Sequence, residues 1–321
     1  MSKAKPNNFL WYSNLQCATV KLKRKNEKPG KNWYYRKRWC MNKSVGFRCA
    51  QPNLQGYVYD PKSDCEKART REREKKTKTQ RAAALEGVKL EGIQKILDVG
   101  CGTGVVGIDL VNLIPSAQFV GVDIEYSILQ VAKGNIPAGV VSSFVSGDAY
   151  HLPFDKTSFD LVACQYVLQH LNRPARALEE MRRVSRPGGQ IIIFEFDDRT
   201  GFSYPPSPRE LDDLFQAKIA LIERKGGDRS MGRKLYHLLF SAGWRDIEVK
   251  IIPDIWQGSA DRRGALESTY LSFTQLKSQL IAENLISETT FDVGLKQLYD
   301  YYQGEIFSVI FFFAAFAKNP G

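Results

Sequence analysis

Ile96-Leu97-Asp98-Val99-Gly100-Cys101-Gly102-Thr103-Gly104 is a short strand-favouring run that ends in three glycines spaced two apart. The apolar residues around Asp98 suit a parallel strand covered on both faces. Beyond Gly104, Val105, Val106, Ile108, Leu110, Val111 and Leu113 recur at helical spacing. The stretch therefore reads as strand, glycine turn, helix. Gly100, Gly102 and Gly104 omit Cβ atoms where the backbone must bend sharply and where a ligand can approach its N–H groups.

The same loop contains Gly102-Thr103-Gly104-Val105-Val106-Gly107, a literal GxGxxG, which alone is a weak dinucleotide signal. Asp98, at the strand end just ahead of the glycines, separates the two readings. A carboxylate there attracts a cationic or amino-bearing ligand and repels a pyrophosphate. The loop thus favours S-adenosylmethionine, whose sulfonium and α-ammonium are positive, over NAD or FAD.

Further strands carry polar residues to the same edge. Gln118 to Ile124 reads as a strand ending in Asp123, about 20 residues past the glycine turn, where a carboxylate can chelate a ribose diol. Val140 to Ser146 reads as a third strand, followed by Gly147-Asp148-Ala149 and Leu152-Pro153-Phe154. Asp148 can accept from an adenine amino group, and small Ala149 leaves room for the ring. Ser158 to Gln165 reads as a fourth strand that delivers Gln165. Each aspartate taken singly also reads as a helix cap or a solvated loop charge. For Gln165, a purely backbone role stands beside the side-chain one. The set argues for the ligand edge of an open α/β sheet.

With these residues in place, the chain resembles the class I S-adenosylmethionine-dependent methyltransferases. Within them it is similar to the small-molecule group that includes the ubiquinone and menaquinone biosynthesis methyltransferases. The likeness rests on Leu97 to Gly104, Val122-Asp123, Gly147-Asp148-Ala149 with Leu152-Pro153-Phe154, Phe159-Asp160-Leu161-Val162, and Arg186-Pro187-Gly188-Gly189 leading into Gln190 to Phe194. It continues more weakly through Met231 to Leu235 and Phe240 to Trp244, and spans roughly residues 85 to 318.

That resemblance implies a doubly wound, Rossmann-like α/β sheet of seven strands with an antiparallel last strand. It implies a methyltransferase domain over residues 63–321 with a helical substrate cap at 254–305; residues 1–62 fall outside the resemblance and read from their charge as a basic N-terminal extension. By the same resemblance Asp98, Gly100, Cys101, Gly102, Thr103 and Gly104 face the methionine part of the cofactor. Asp123 with Ile124 faces the ribose, Asp148 and Ala149 the adenine, and Gln165 the wall near the methionine. The implied activity is methyl transfer to a small-molecule acceptor.

The acid/base chemistry is thinly marked. His170, a few residues past the fourth strand, is a candidate general base, with a structural role as the alternative; His151 and His237 are weaker candidates. Methyl transfer from a sulfonium can rest on alignment and desolvation without a base. With three histidines and no CxxC pair among Cys17, Cys40, Cys49, Cys65, Cys101 and Cys164, a zinc site is poorly supported. Cys101 and Cys164 are expected as reduced thiols.

Specificity is expected from Phe202 to Pro208, read as a stiff loop after the fifth strand, and from the insertion at 254–305. Trp256, Tyr270, Phe273, Tyr299, Tyr301 and Tyr302 suit an apolar acceptor there, or simply pack the insertion. Ile306 to Ala317 is too short to cross a bilayer and reads as the final strand. The amino terminus lacks a signal-peptide pattern, so the expectation is a soluble cytoplasmic protein with no membrane span.

Of the net charge of +11, residues 1–85 hold 22 Lys and Arg against 6 Asp and Glu, which leaves the remainder net negative. Trp33, Tyr34, Tyr35 and Trp39 interleave the first basic stretch, a mixture that can bind nucleic acid. A loosely packed basic extension is the simpler reading. Alternating charge from Ser63 to Leu85 predicts a helix; the resemblance implies that it precedes the first strand near the cofactor pocket, where Tyr57 and Tyr59 line the pocket or simply pack. Methylation of RNA or protein is the second reading, against which Gln165-Tyr166-Val167-Leu168 stands in place of an Asn-Pro-Pro-Tyr tetrapeptide. A cofactor-binding protein without turnover is the third.

Overall fold

The structure is a computed structural model that describes residues 77–258 and 263–321. The expectations for the extension at 1–62 with its aromatics and nucleic-acid contact, for Tyr57, Tyr59 and Cys65, and for the helix ahead of residue 77 lie outside the described residues.

Strand β1 (Lys95–Val99) is buried from Ile96 onward because both of its faces are covered. Leu97 and Val99 pack to one side, and Ile96 to the other. Around β1 the parallel strands run in the order β3 (Ser142–Ser146), β2 (Gln118–Asp123), β1, β4 (Phe159–Gln165), β5 (Ser185–Phe196). The direction of winding reverses between β1 and β4, which is where such sheets open a crevice at their carboxyl ends. Antiparallel β8 (Phe307–Lys318) follows β5, and β7 (Arg245–Gln257) pairs with the opposite side of β8.

The seven expected strands are joined by an eighth, β6 (Phe202–Tyr204), which pairs with Phe307 to Val309. This corrects the reading of Phe202 to Pro208 as loop throughout. The β5–β8 ladder begins only at Phe312, so the start of β8 presents an open edge that this aromatic tripeptide fills.

One covering layer holds α1 (residues 77–85) and α2 (Val105–Leu113). Ala84 and Leu85 of α1, with Val106 and Leu110 of α2, pack on Ile96, Phe119, Leu161 and Phe194. Helix α3 (Tyr126–Asn135) joins β2 to β3, with the Glu125 side chain accepting from the Ser127 amide as its cap. The opposite layer holds α4 (Pro174–Val184) and α6 (Leu235–Ser241). In α4, Pro174 opens the first turn and Ala177, Leu178, Met181 and Val184 make one buried stripe at helical spacing. Burial of Leu178 or Met181 stabilises this layer by about 1.5–3 kcal/mol each. Trp244 locks α4 to α6, its indole Nε1 donating to the Leu178 carbonyl at 3.1 Å.

The helical cap is larger than the insertion read from sequence. Helix α5 (Arg209–Arg224) packs with α7 (Arg263–Ala282) and α8 (Glu288–Tyr302) around Leu211, Leu214, Leu221, Phe273, Phe291 and Leu298. Residues 254–257, placed in the insertion by sequence, instead extend β7. At Gly294 a Cβ would meet the Glu210 carbonyl oxygen at 2.4 Å, so α5 and α8 cross too closely there for any side chain. Phe273 is core, as the packing alternative for the insertion's aromatics requires, whereas Tyr270 and Tyr299 are exposed. Among the described residues, no helix is long and apolar enough to cross a membrane.

Candidate functional site

Strand register brings the glycine turn, Asp123 and Gln165 to one level. Val99 is paired with Val122 and with Cys164, so the next residues along these strands are Gly100, Asp123 and Gln165. Asp148 follows directly, because the Gly147 amide donates to the Asp123 carbonyl at 3.0 Å. Two open depressions, of about 370 and about 440 Å³, lie elsewhere: one where α5 meets the α7–α8 turn, the other by Lys95 and Phe154 at the amino ends of the strands.

Asp98 has the most unusual environment of this edge. It is 1% exposed, and neither carboxylate oxygen accepts a hydrogen bond of ordinary geometry. Burial pushes its pKa up to about 8; the nearby Gly107 amide eases the charge, Asp123 adds repulsion, and Arg81 opposes both. A buried carboxylate so poorly compensated is stabilised when a cation comes beside it. The site thus has a place for a positive ligand group before any ligand arrives.

Arg81 of α1 is the residue that sequence reading missed. It is 2% exposed, and its Nε and a terminal nitrogen both lie 2.7 Å from Asp109 Oδ2. Its other terminal nitrogen donates to Thr77 Oγ1 at 2.8 Å and to Gln165 Oε1 at 2.9 Å. The signal was present in the spacing: Thr77, Arg81, Ala84 and Leu85 form the buried face of α1. An arginine within such a stripe needs a carboxylate partner, which half-buried Asp109 supplies.

The turn itself is held by backbone bonds. The Cys101 amide donates to the Val122 carbonyl at 3.0 Å, and the Gly104 amide to the Cys101 carbonyl at 2.8 Å. At Gly100, φ is +67° and a Cβ would lie 2.4 Å from a Val167 methyl, so this position admits only glycine without a shift. Asn135 Nδ2 donates to the Thr103 carbonyl at 3.1 Å, which ties α3 to the turn. Cys101 and Cys164 are buried free thiols, both pushed up by burial and then by neighbouring carboxylates, and so held in the unreactive protonated form.

Asp123 accepts from the Gly102 and Glu125 amides, each at 2.9 Å. Burial raises its pKa, and these two amides counter the rise. Two donors leave carboxylate lone pairs available for a diol. Ile124 is exposed beside it. Asp148 accepts from the Tyr150 amide at 2.9 Å, and Ala149 packs half-buried against the core.

His170 ends a 3-10 turn (Leu168–His170) after β4 and is exposed. Fully buried Glu195 of β5 accepts from the Leu168 amide at 2.8 Å, fixing this turn from beneath. His151 and His237 stay at the surface, one beside Arg176 and the other beside Ser241.

Residues 97–193 match the family described as Methyltransferase domain. An uncharacterized methyltransferase of Schizosaccharomyces pombe is 32% identical over 174 residues, 52% of this chain and 59% of that protein. The demethylmenaquinone methyltransferase of Renibacterium salmoninarum is 37% identical over 114 residues, 33% of this chain and 43% of the relative. The chain thus spans about half the length of the curated relatives it matches. A crystal structure from Bacillus halodurans, classed with the methyltransferases, aligns with a TM-score of 0.50 at 19% identity, covering 76% of this chain and 100% of that one, and shares the fold.

Proposed function

We propose, from the premise that this chain carries a class I methyltransferase domain, that the protein transfers a methyl group from S-adenosylmethionine to a small-molecule acceptor. The observation that carries the proposal is Asp98: a buried carboxylate without a hydrogen bond of ordinary geometry among the described residues, beside a glycine turn, at the reversal point of the sheet. A pyrophosphate would be repelled there, whereas a sulfonium or ammonium supplies the missing partner.

Each residue then has a task. Asp98 balances the positive charge of the cofactor's amino-acid end, and the Gly100 to Gly104 turn lets that end approach the backbone. Asp123 receives the ribose hydroxyls with Ile124 alongside, Asp148 and Ala149 line the adenine, and Gln165 closes the wall near the methionine. Bound there, S-adenosylmethionine supplies a methyl carbon whose bond to sulfur breaks as its bond to the acceptor forms, the electron pair leaving on sulfur. The chain's part is to align acceptor and methyl and to exclude water. His170, on the turn held by Glu195, takes the acceptor's proton where the nucleophile carries one. Helices α5, α7 and α8 form the cap that selects the acceptor.

The domain so assigned covers residues 63–321, with 1–62 as a separate basic extension, and the location assigned is cytoplasmic. Isothermal titration with S-adenosylhomocysteine, with NAD as control, tests the cofactor assignment. Selective binding of the homocysteine adduct upholds it, and a folded protein that binds neither ligand overturns it. Label transfer from methyl-labelled cofactor into acceptor pools then tests the reaction. Loss of rate in His170→Gln at unchanged cofactor affinity supports a proton-transfer role, and an unchanged rate removes it.

A further inference from the structure

We propose that Arg81 is a positioning residue that fixes the Gln165 side-chain amide so that its NH2 group receives the carboxylate of the cofactor's amino-acid end. The inference rests on the cofactor reading above and adds to it how the chain tells the two charges of that end apart.

A guanidinium has donors and no acceptor, so its contact with Gln165 at 2.9 Å must be to the amide oxygen. This decides the orientation of the amide by chemistry. With the oxygen committed to Arg81, the NH2 group is the other end of the amide and makes no hydrogen bond among the described residues. Two donors are thereby held at the carboxyl end of β4, level with Gly100.

The clamp is rigid because Arg81 is buried and held from three sides. Asp109 neutralises it from α2, Thr77 holds it one turn back along α1, and Gln165 receives it on β4. An unpaired arginine could not remain in such surroundings. The ion pair with Asp109 removes most of its charge from the edge, leaving a neutral amide to meet a ligand carboxylate.

Asp98 lies on the same face of the sheet, since it is paired with Ala163, two residues before Gln165 on the neighbouring strand. One strand therefore presents a carboxylate without a hydrogen bond of ordinary geometry among the described residues, and the next presents an amide fixed as donor. This pair is complementary to a zwitterionic α-amino acid group: the ammonium beside Asp98, the carboxylate beside Gln165. A ligand with the amine and no carboxylate satisfies only half of the arrangement.

The test compares S-adenosylhomocysteine with its decarboxylated amine, 5′-(3-aminopropylthio)-5′-deoxyadenosine, by calorimetry on the full chain. In Gln165→Glu, Arg81 keeps an acceptor and the fold keeps its clamp, while the donor toward the ligand becomes a second carboxylate oxygen. The expected result is a loss of about tenfold or more in affinity for the homocysteine adduct, with the amine bound within about twofold of wild type. Arg81→Met should shrink the same preference by freeing the amide to rotate. Equal losses for both ligands in Gln165→Glu, or none for either, overturn the proposal while leaving the cofactor reading intact. Failure of the wild-type chain to bind the homocysteine adduct overturns the cofactor reading, and this inference with it.

Discussion

The carboxyl edge of β1, β2 and β4 and the α5–α7–α8 cap are both well packed, yet they place polarity in opposite ways. At the sheet edge, buried polar groups are concentrated and one of them, Asp98, is left without a hydrogen bond of ordinary geometry among the described residues. In the cap, the core is Leu211, Leu214, Phe273, Phe291 and Leu298, and polar groups meet in complementary pairs such as Lys218 with Ser272 and Glu210 with Gln297. An unfinished set of interactions is costly in a folded protein unless a ligand completes it. The contrast fits the proposed division, in which the edge holds the cofactor and the cap selects the acceptor by shape.

The largest effect expected is at Gly100. Gly100→Ala combines a left-handed backbone with a Cβ at 2.4 Å from Val167, and should lower stability by about 2–4 kcal/mol and abolish binding of S-adenosylhomocysteine. Denaturant unfolding and calorimetry read the two effects separately. Gly294→Ala is its counterpart in the cap, where the Cβ would meet the Glu210 carbonyl at 2.4 Å. A loss of about 1–3 kcal/mol in stability is expected, with cofactor affinity unchanged. If Gly294→Ala weakened the cofactor as much as Gly100→Ala, the division between edge and cap would fail.

The same contrast explains what the sequence made legible. Asp98, Asp123, Asp148 and Gln165 stand at strand ends within short local patterns, so their convergence could be read from hydrophobic runs and glycine spacing alone. Arg81 was not legible in that way, because its partners Asp109 and Gln165 are 28 and 84 residues distant. Glu195 escaped for the same reason: the backbone it holds at Leu168 belongs to another strand's exit. Helix α5 joined the cap through Leu211 and Leu214, whose stripe looks like that of any amphipathic helix until α7 and α8 are set against it. Strand β6 followed from an edge left open on β8, a fact about register that no local pattern carries.

Asp123→Ala sharpens the edge itself. The carboxylate supports the turn through Gly102 and, in the proposed pose, the ribose through its remaining lone pairs. Its loss should weaken S-adenosylmethionine binding by about 1–3 kcal/mol through missing charge-assisted hydrogen bonds. Calorimetry on the folded variant checks this, and unchanged affinity would remove Asp123 from the pose.

The last effect expected is the release of a proton, and its sign is fixed by Asp98. Burial raises this carboxyl to about 8, so the free protein holds it neutral at pH 6, while the unfolded chain ionises it in the ordinary carboxylate range. The stability contributed by the neutral form is present in acid and is lost as pH rises toward 8. A cation seated beside Asp98 reverses the preference and expels the proton. Binding of S-adenosylhomocysteine at pH 6 should therefore release about one proton, and affinity should rise by up to about tenfold per pH unit until Asp98 ionises unaided near pH 8. Asp123, Arg81 and the Cys101 thiol also face this group, and burial keeps the thiol protonated. Calorimetry in buffers of different ionisation enthalpy counts the proton, and Asp98→Asn should abolish the release. Equal proton release in Asp98→Asn and wild type would transfer the linkage to Asp123, and the edge would then hold its cation from the second strand instead of the first.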